Sequence, residues 1–225
     1  YLLGWRLSAP RNDLVFGSAW HIAMEHLHAN GFTTKAVLEA QVLFLEHYRQ
    51  SFPQETDDLF VPKTPANGVN SIEDYAHKFR HDASEYDVLY TELGGIVLVS
   101  DTRTMTFKCD AIMRHHDTGL VSGLDHKTSK RRYTDQGDHW TLSTQMLTYL
   151  HALKCLCPDQ EEMVMTVRGA FFYKKDPTIF EDYPIAKSAS QMQAWLERTN
   201  QWIDRMSIDM NILTNVLSGD FVDEH

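Results

Sequence analysis

The chain has little cysteine, little positive charge for its size and no long apolar run, and each shortage closes off a class of protein. Three cysteines, Cys109, Cys155 and Cys157, occur in 225 residues. They are too few for a disulfide framework or a four-cysteine metal site, and they fit a reducing, intracellular compartment, expected to be the cytoplasm. Cys155 and Cys157 are expected to be buried or half-buried thiols near a helix end. No apolar run approaches the roughly 18 residues that a membrane span needs. The phosphate-cradling pattern Gly-x-x-x-x-Gly-Lys-Ser/Thr is missing, so any motor function must belong to another chain. Lys and Arg number 21 against 31 Asp and Glu, a net charge of -10. That balance weighs against tight binding to a phosphate backbone, which is driven by Lys and Arg. Tyr1 rather than Met stands first, as expected of a trimmed or processed chain.

What is present suffices for a sizeable core: 43% of the residues are hydrophobic, which fits one domain over residues 1–225. Ala19, Trp20, Ala23, Met24 and Leu27 form a helical stripe within 17–29, closed by Asn30-Gly31. Thr33 or Thr34 caps a second helix to about Tyr48, with Val37, Leu38, Val42, Leu45 and Tyr48 on its apolar side. Pro53, Pro62, Pro65, Asn67 and Gly68 make residues 52–70 read as a long loop. Ser71-Ile72-Glu73-Asp74 resembles a capping box opening a helix to about Tyr86. Three short runs at 92–100, 105–114 and 119–127, separated by polar turns, read as an antiparallel meander. A helix over 138–156, strands at 163–173 and 179–185, and a long amphipathic helix over 190–217 follow. The order predicts an α/β (α+β) domain around a mixed sheet, its three-strand meander flanked by helices.

The meander carries the chemistry. Asp110 precedes Asp125-His126-Lys127 by 15 residues. In a strand Asp125 and Lys127 project to the same face. Two carboxylates beside an ammonium in an apolar setting suit a hard divalent cation, which takes oxygen ligands together with substrate phosphate. Lys127, Lys130, Arg131 and Arg132 follow directly, so the scarce positive charge gathers near the acids. The pattern points to metal-dependent hydrolysis of phosphodiesters.

The set Asp110…Asp125-His126-Lys127, on the second and third strands with a helix after them, resembles the PD-(D/E)-x-K nuclease superfamily. Gly17-Ser18-Ala19-Trp20-His21 is similar to the helix-borne Gly-x-x-x-His motif of its RecB-like branch. Lys127-Thr128-Ser129 continues the strand as in that branch, Gln145-Met146-Leu147-Thr148-Tyr149 is similar to its Gln-x-x-x-Tyr motif, and Glu92 matches an acid at the start of the first strand. The resemblance spans about residues 14–175, with a C-terminal helix over 188–217 expected to pack on that core. It implies a restriction-endonuclease-like core and a Mg²⁺- or Mn²⁺-dependent deoxyribonuclease, an exonuclease or DNA-end-processing enzyme of the kind used in repair or recombination. His21, Asp110, Asp125, the main-chain carbonyl of His126 and Glu92 are the implied metal ligands. Asp110, Asp125, Lys127, Gln145 and Tyr149 are the implied catalytic set, with Lys130, Arg131 and Arg132 as substrate contacts. An imidazole among the ligands suits Mn²⁺ as well as Mg²⁺.

Two departures from the branch qualify the resemblance. The four cysteines that hold an iron–sulfur cluster in some relatives are missing, so no cluster is expected. His126 replaces an apolar residue between acid and lysine, which predicts a half-exposed face there. Two other readings compete: a catalytically inactive module that keeps the fold to bind nucleic acid or to act as a scaffold, and a zinc protein drawing on the 12 histidines. The intact acid–acid–lysine set argues against the first, and no histidine pair has helical spacing with a cysteine or acid partner to support the second.

Overall fold

The computed structural model describes residues 9–132 and 136–218. Three helices come first: α1 (Asn12–Asn30), α2 (Thr34–Arg49) and α3 (Pro65–Phe79), with a 3₁₀ turn at Gln54–Phe60 and a single helical turn α4 (Asp82–Glu85). The meander follows as β1 (Tyr86–Ser100), β2 (Arg103–His115) and β3 (Val121–Ser129). The chain then runs through α5 (Gln136–Thr141), α6 (Thr144–Leu156), β4 (Val164–Phe171), β5 (Ile179–Ala186) and α7 (Ala189–Ser218). The strands form one mixed sheet in the order β1-β2-β3-β4-β5. β1, β2 and β3 are antiparallel, β3 and β4 are parallel across the α5–α6 crossover, and β5 returns antiparallel to β4. This is the mixed α/β sheet with a three-strand meander that the sequence pattern predicts.

Local chemistry sets the helix ends. Gly31 takes the left-handed conformation (φ 74°), and its N–H reaches the Leu27 carbonyl, the closure that a glycine at this position allows. Thr33 Oγ1 accepts from the Ala36 N–H at 3.2 Å, a side-chain cap at the start of α2.

Four expectations are corrected. The segment 52–70 is not a loop throughout, because Thr64 Oγ1 caps Asn67 N–H and Pro65 occupies the first turn of α3, where a missing N–H costs nothing. Gly68 sits inside that helix because the ring of Phe44 fills the place where a Cβ would stand. The helix also ends at Phe79, and Tyr86 already belongs to β1. The buried face of α2 is Ala36, Ala40, Phe44 and Tyr48, while Leu38 and Val42 are exposed. Two small alanines, not the larger aliphatics, therefore let α2 approach α1. The helix expected over 138–156 is two, α5 and α6, parted at Leu142-Ser143.

The sheet has a core on each side. α1, α2 and α3 pack Phe16, Trp20, Phe44 and Tyr75 against Ala170, Phe172 and Phe180. Many of these aromatics meet edge to face, as Trp20 does with Tyr75 and Phe172, the arrangement that ring quadrupoles favour. On the other side α6 lays Met146, Leu150 and Leu153 on Met165, Val167 and Ile185. α7 is pinned to the β1–β2 hairpin: Arg103 Nη1 donates to the Asn200 carbonyl at 3.1 Å, and Asn200 Nδ2 donates to Val99 O at 2.8 Å. Trp195 on this helix is buried, whereas Trp202 and Met206 are exposed. Cys155 is exposed and Cys157 half-buried at the end of α6. No described helix is long and apolar enough to cross a membrane.

Candidate metal centre

Strand register brings the acids together. The β2–β3 ladder runs from Arg114↔Val121 to Ala111↔Leu124 and stops one step short of pairing Asp110 with Asp125. From that point the strands part, and the His126 N–H donates to Asp110 Oδ2 at 2.6 Å instead of joining the ladder. On the other side, Thr91↔Ala111 and Leu93↔Cys109 place Glu92 opposite Asp110. Glu92, Asp110 and Asp125 thus stand at one level on three neighbouring strands, where adjacent side chains are about 5 Å apart. Glu92 has a left-handed backbone, φ 49°, which costs a non-glycine residue about 1–3 kcal/mol.

α1 and α6 close the sides of a cleft of 840 Å³ over this row. His21, on α1, puts Nδ1 2.9 Å from Asp110 Oδ2. Gly17 lies one turn before it, but a Cβ there would meet only Thr128 Oγ1 at 3.8 Å, so close approach does not explain the glycine. Donor atoms of His21, Glu92 and Asp110 lie within 4.8 Å of one another. Asp125 is buried, its Oδ2 2.7 Å from Lys127 Nζ. That ammonium is the partner the oxygen has among the described residues. The donors of His21, Glu92 and Asp110, with the buried Asp125 carboxylate on the next strand, fit a hard divalent cation held by oxygen and imidazole. Glu92 pairs with Lys108 at the mouth of the cleft.

The two central acids are driven apart in proton affinity. Burial acts to raise Asp110, but hydrogen bonds from His126 and His21 outweigh it and hold its carboxyl well below the usual range. Burial pushes Asp125 up; Lys127 opposes this, and the charge of Asp110 adds to it. One carboxylate is therefore firmly ionised and its neighbour holds a proton more readily, as expected where two acids share a site. Burial lowers His21, yet the Asp110 hydrogen bond raises it overall.

The remaining predicted residues divide. Gln145 and Tyr149 share one face of α6 in the cleft. Gln145 Nε2 donates to the Tyr149 hydroxyl at 2.7 Å, which itself donates to the Lys108 carbonyl. The pair thereby ties α6 to β2 two residues before Asp110. Lys130, Arg131 and Arg132 do not line the cleft: Lys130 pairs with Asp13 at 3.1 Å, and Arg132 grips Glu181 through two nitrogens. The half-exposed face expected at His126 is also corrected, since its ring is buried against Tyr75. Asp125 and Lys127 face the cleft, and the residue between them must face inward.

Four contributors have little or no local signal in the sequence. Glu25 lines the cleft one turn after His21, its carboxyl raised by burial and by Glu92; the spacing of four from His21 was its only trace. Tyr75 and Arg168 reach the site from 51 and 42 residues away from His126 along the chain. Lys63, almost fully buried, donates to Thr128 O at 3.1 Å and Thr128 Oγ1 at 2.9 Å, fixing β3 just beyond Lys127. Among the described residues Asp13, 3.6 Å from its Nζ, is the acid paired with it.

Burial pulls the Lys63 ammonium down to about 8, against the attraction of Asp13 and with help from Lys130. In the unfolded chain a lysine titrates near 10.4. Between these values the unfolded state binds the extra proton, so this residue makes stability rise with pH. Below pH 8 both states are protonated and the penalty is complete. Urea unfolding of wild type and Lys63→Met from pH 8 to 10 tests this. Wild-type stability is expected to gain on the variant by up to about 1.4 kcal/mol per pH unit, and a constant difference would contradict it.

No protein-family model matches the chain, and no curated protein matches it. Among solved structures the chain is similar to the crystal structure of a protein from Eubacterium rectale named "Putative exonuclease". The TM-score is 0.48 and the identity 12%, over 98% of this chain and 73% of that one. A likeness that slight carries no function across.

Proposed function

We propose that the chain is a Mg²⁺- or Mn²⁺-dependent deoxyribonuclease acting on DNA ends, as an exonuclease or end-processing enzyme. The observation that carries the reading is the level row Glu92–Asp110–Asp125 with His21 beside it and Lys127 paired with the buried carboxylate of Asp125. His21, Glu92, Asp110 and Asp125 would hold the cation, with the main-chain carbonyl of His126 as a further oxygen. A bound cation there would polarise a phosphate oxygen and lower the pKa of a water. Lys127 keeps an ammonium where negative charge builds on the phosphate, a fixed charge in a partly dry site. Gln145 and Tyr149 hold the Lys108–Asp110 stretch of β2 against α6. The preference for ends, and for DNA, follows from the RecB-like motifs.

End-labelled single- and double-stranded DNA incubated with Mn²⁺, with a chelator as control, tests the proposal: chelator-sensitive cleavage is expected, and none on either substrate would overturn it. Asp110→Ala should weaken Mn²⁺ binding by about 10–100-fold in titration calorimetry, since it removes a carboxylate and strands the donors of His21 and His126. Unchanged affinity would remove Asp110 from the ligand set.

A further inference from the structure

Behind the cleft lies a buried polar chain that the reading above does not use. Arg168, on β4, grips Asp182 through Nε at 2.8 Å and Nη2 at 2.9 Å, and Asp82 through Nη1 at 2.7 Å. The same Nη1 lies 3.1 Å from the Tyr75 hydroxyl. That hydroxyl also meets His126 Nε2 at 2.8 Å and His28 Nε2 at 3.1 Å. His126 in turn sets Nδ1 3.3 Å from Asp110 Oδ2. We infer that Tyr75 and His126 are positioning residues for Asp110, forming with Arg168 a one-way hydrogen-bond relay that saturates one oxygen of that carboxylate and leaves the other for a cation. The inference rests on the reading that Asp110 is a metal ligand.

Counting protons fixes the direction. A guanidinium has only protons to give, so Arg168 makes the Tyr75 oxygen an acceptor. A carboxylate has only lone pairs, so neutral His126 carries its proton on Nδ1, toward Asp110, and offers a lone pair at Nε2. Tyr75 has a single proton and must give it to His126. His28, the remaining neighbour, then donates through Nε2–H to the Tyr75 oxygen, and its Nδ1 keeps a lone pair. This accounts for a separate observation: His28 Nδ1 is buried with no hydrogen-bond partner. A bare nitrogen there is a smaller loss than a stranded N–H.

The relay ends on Asp110 Oδ2, which faces the His126 main-chain N–H at 2.6 Å, His126 Nδ1 at 3.3 Å and His21 Nδ1 at 2.9 Å. Its fellow oxygen, Oδ1, takes no hydrogen bond among the described residues. Such outer partners orient a ligating group and commonly set affinity by 10–100-fold. Here they prevent the carboxylate from rotating its oxygens.

The test begins without metal. Nitrogen-15 NMR of the histidine rings reports the tautomers: His126 is expected as Nδ1–H and His28 as Nε2–H. A His126 protonated at Nε2 alone would overturn the relay. Calorimetry with Mn²⁺ then compares wild type with Tyr75→Phe, which keeps the ring in the core. Its dissociation constant should rise by about 10–100-fold in protein whose melting curve shows it folded, and an unchanged constant would overturn the inference. If that variant does not fold, His126→Asn and His126→Leu serve. Asparagine keeps an N–H near the place of Nδ1 and should lose less affinity than leucine, and equal losses would overturn the relay. Failure of the wild type to bind Mn²⁺ would instead overturn the metal reading, and the tautomers would still decide the relay.

Discussion

Lys127→Ala is expected to lower the rate of DNA cleavage by about 10²–10³-fold while leaving the chain folded, the loss typical of removing one preorganised charge from a reacting centre. The Lys127 ammonium sits 2.7 Å from Asp125 Oδ2, on a side chain about one quarter exposed. Its removal takes a positive charge from the rim of the cleft and leaves the carboxylate of Asp125 alone in a buried place. Asp125 can absorb that change by taking up a proton, because burial already raises its proton affinity, so the cost to the fold stays small. Steady-state kinetics at saturating Mn²⁺ should show the loss in kcat with KM little changed, the pattern of an interaction made in the transition state. Lys127→Arg should recover only part of the rate, since a planar guanidinium does not reproduce a compact ammonium. Cleavage by Lys127→Ala at the wild-type rate would end the assignment.

The largest effect on stability is expected at Arg168. Its guanidinium is buried between Asp82 and Asp182 and lies 3.5 Å above the centre of the Phe79 ring. Burial disfavours its charge, but Tyr75 and the two aspartates outweigh burial and keep it protonated. Arg168→Met removes four hydrogen bonds and strands Asp82, itself buried. Breaking a buried ion pair from one side costs about 3–5 kcal/mol. For a chain of this size that lowers the melting temperature by roughly 6–20 °C. The triple variant Asp82→Asn, Arg168→Met, Asp182→Asn should lose less than Arg168→Met alone, because no uncompensated charge remains. Urea unfolding measures both, and a loss below about 1 kcal/mol for Arg168→Met would refute the account.

The sequence discloses what short-range periodicity encodes. The Asp125–Lys127 spacing of two places both residues on the cleft face of β3, and the spacing of four does the same for Gln145 and Tyr149 on α6. Gly31 and Thr33 announce the ends of α1 and α2. Misread features are those decided at a distance. Pro65 and Gly68 look like loop residues until Thr64 is seen as a cap and Phe44 as the occupant of the glycine's empty side. His126 looks half-exposed because its partner, Tyr75, is 51 residues away on a helix that begins at Pro65, before the Ser71 capping pattern. The pairing of Lys130 with Asp13 and of Arg132 with Glu181 is likewise set by partners far along the chain. The level row of Glu92, Asp110 and Asp125 depends on where two ladders begin and end, which alternation within a strand does not reveal.

The meeting of distant segments over that row also governs when the site exists. Gln145 and Tyr149 are made some 120 residues after His21, yet all three line one cleft. A chain still leaving the ribosome, or cut short before α6, carries the acids and the lysine without the helix that braces β2 at Lys108. On the function proposed above, the metal site is thus braced only once α6, some 120 residues beyond His21, has been made and has packed on β2.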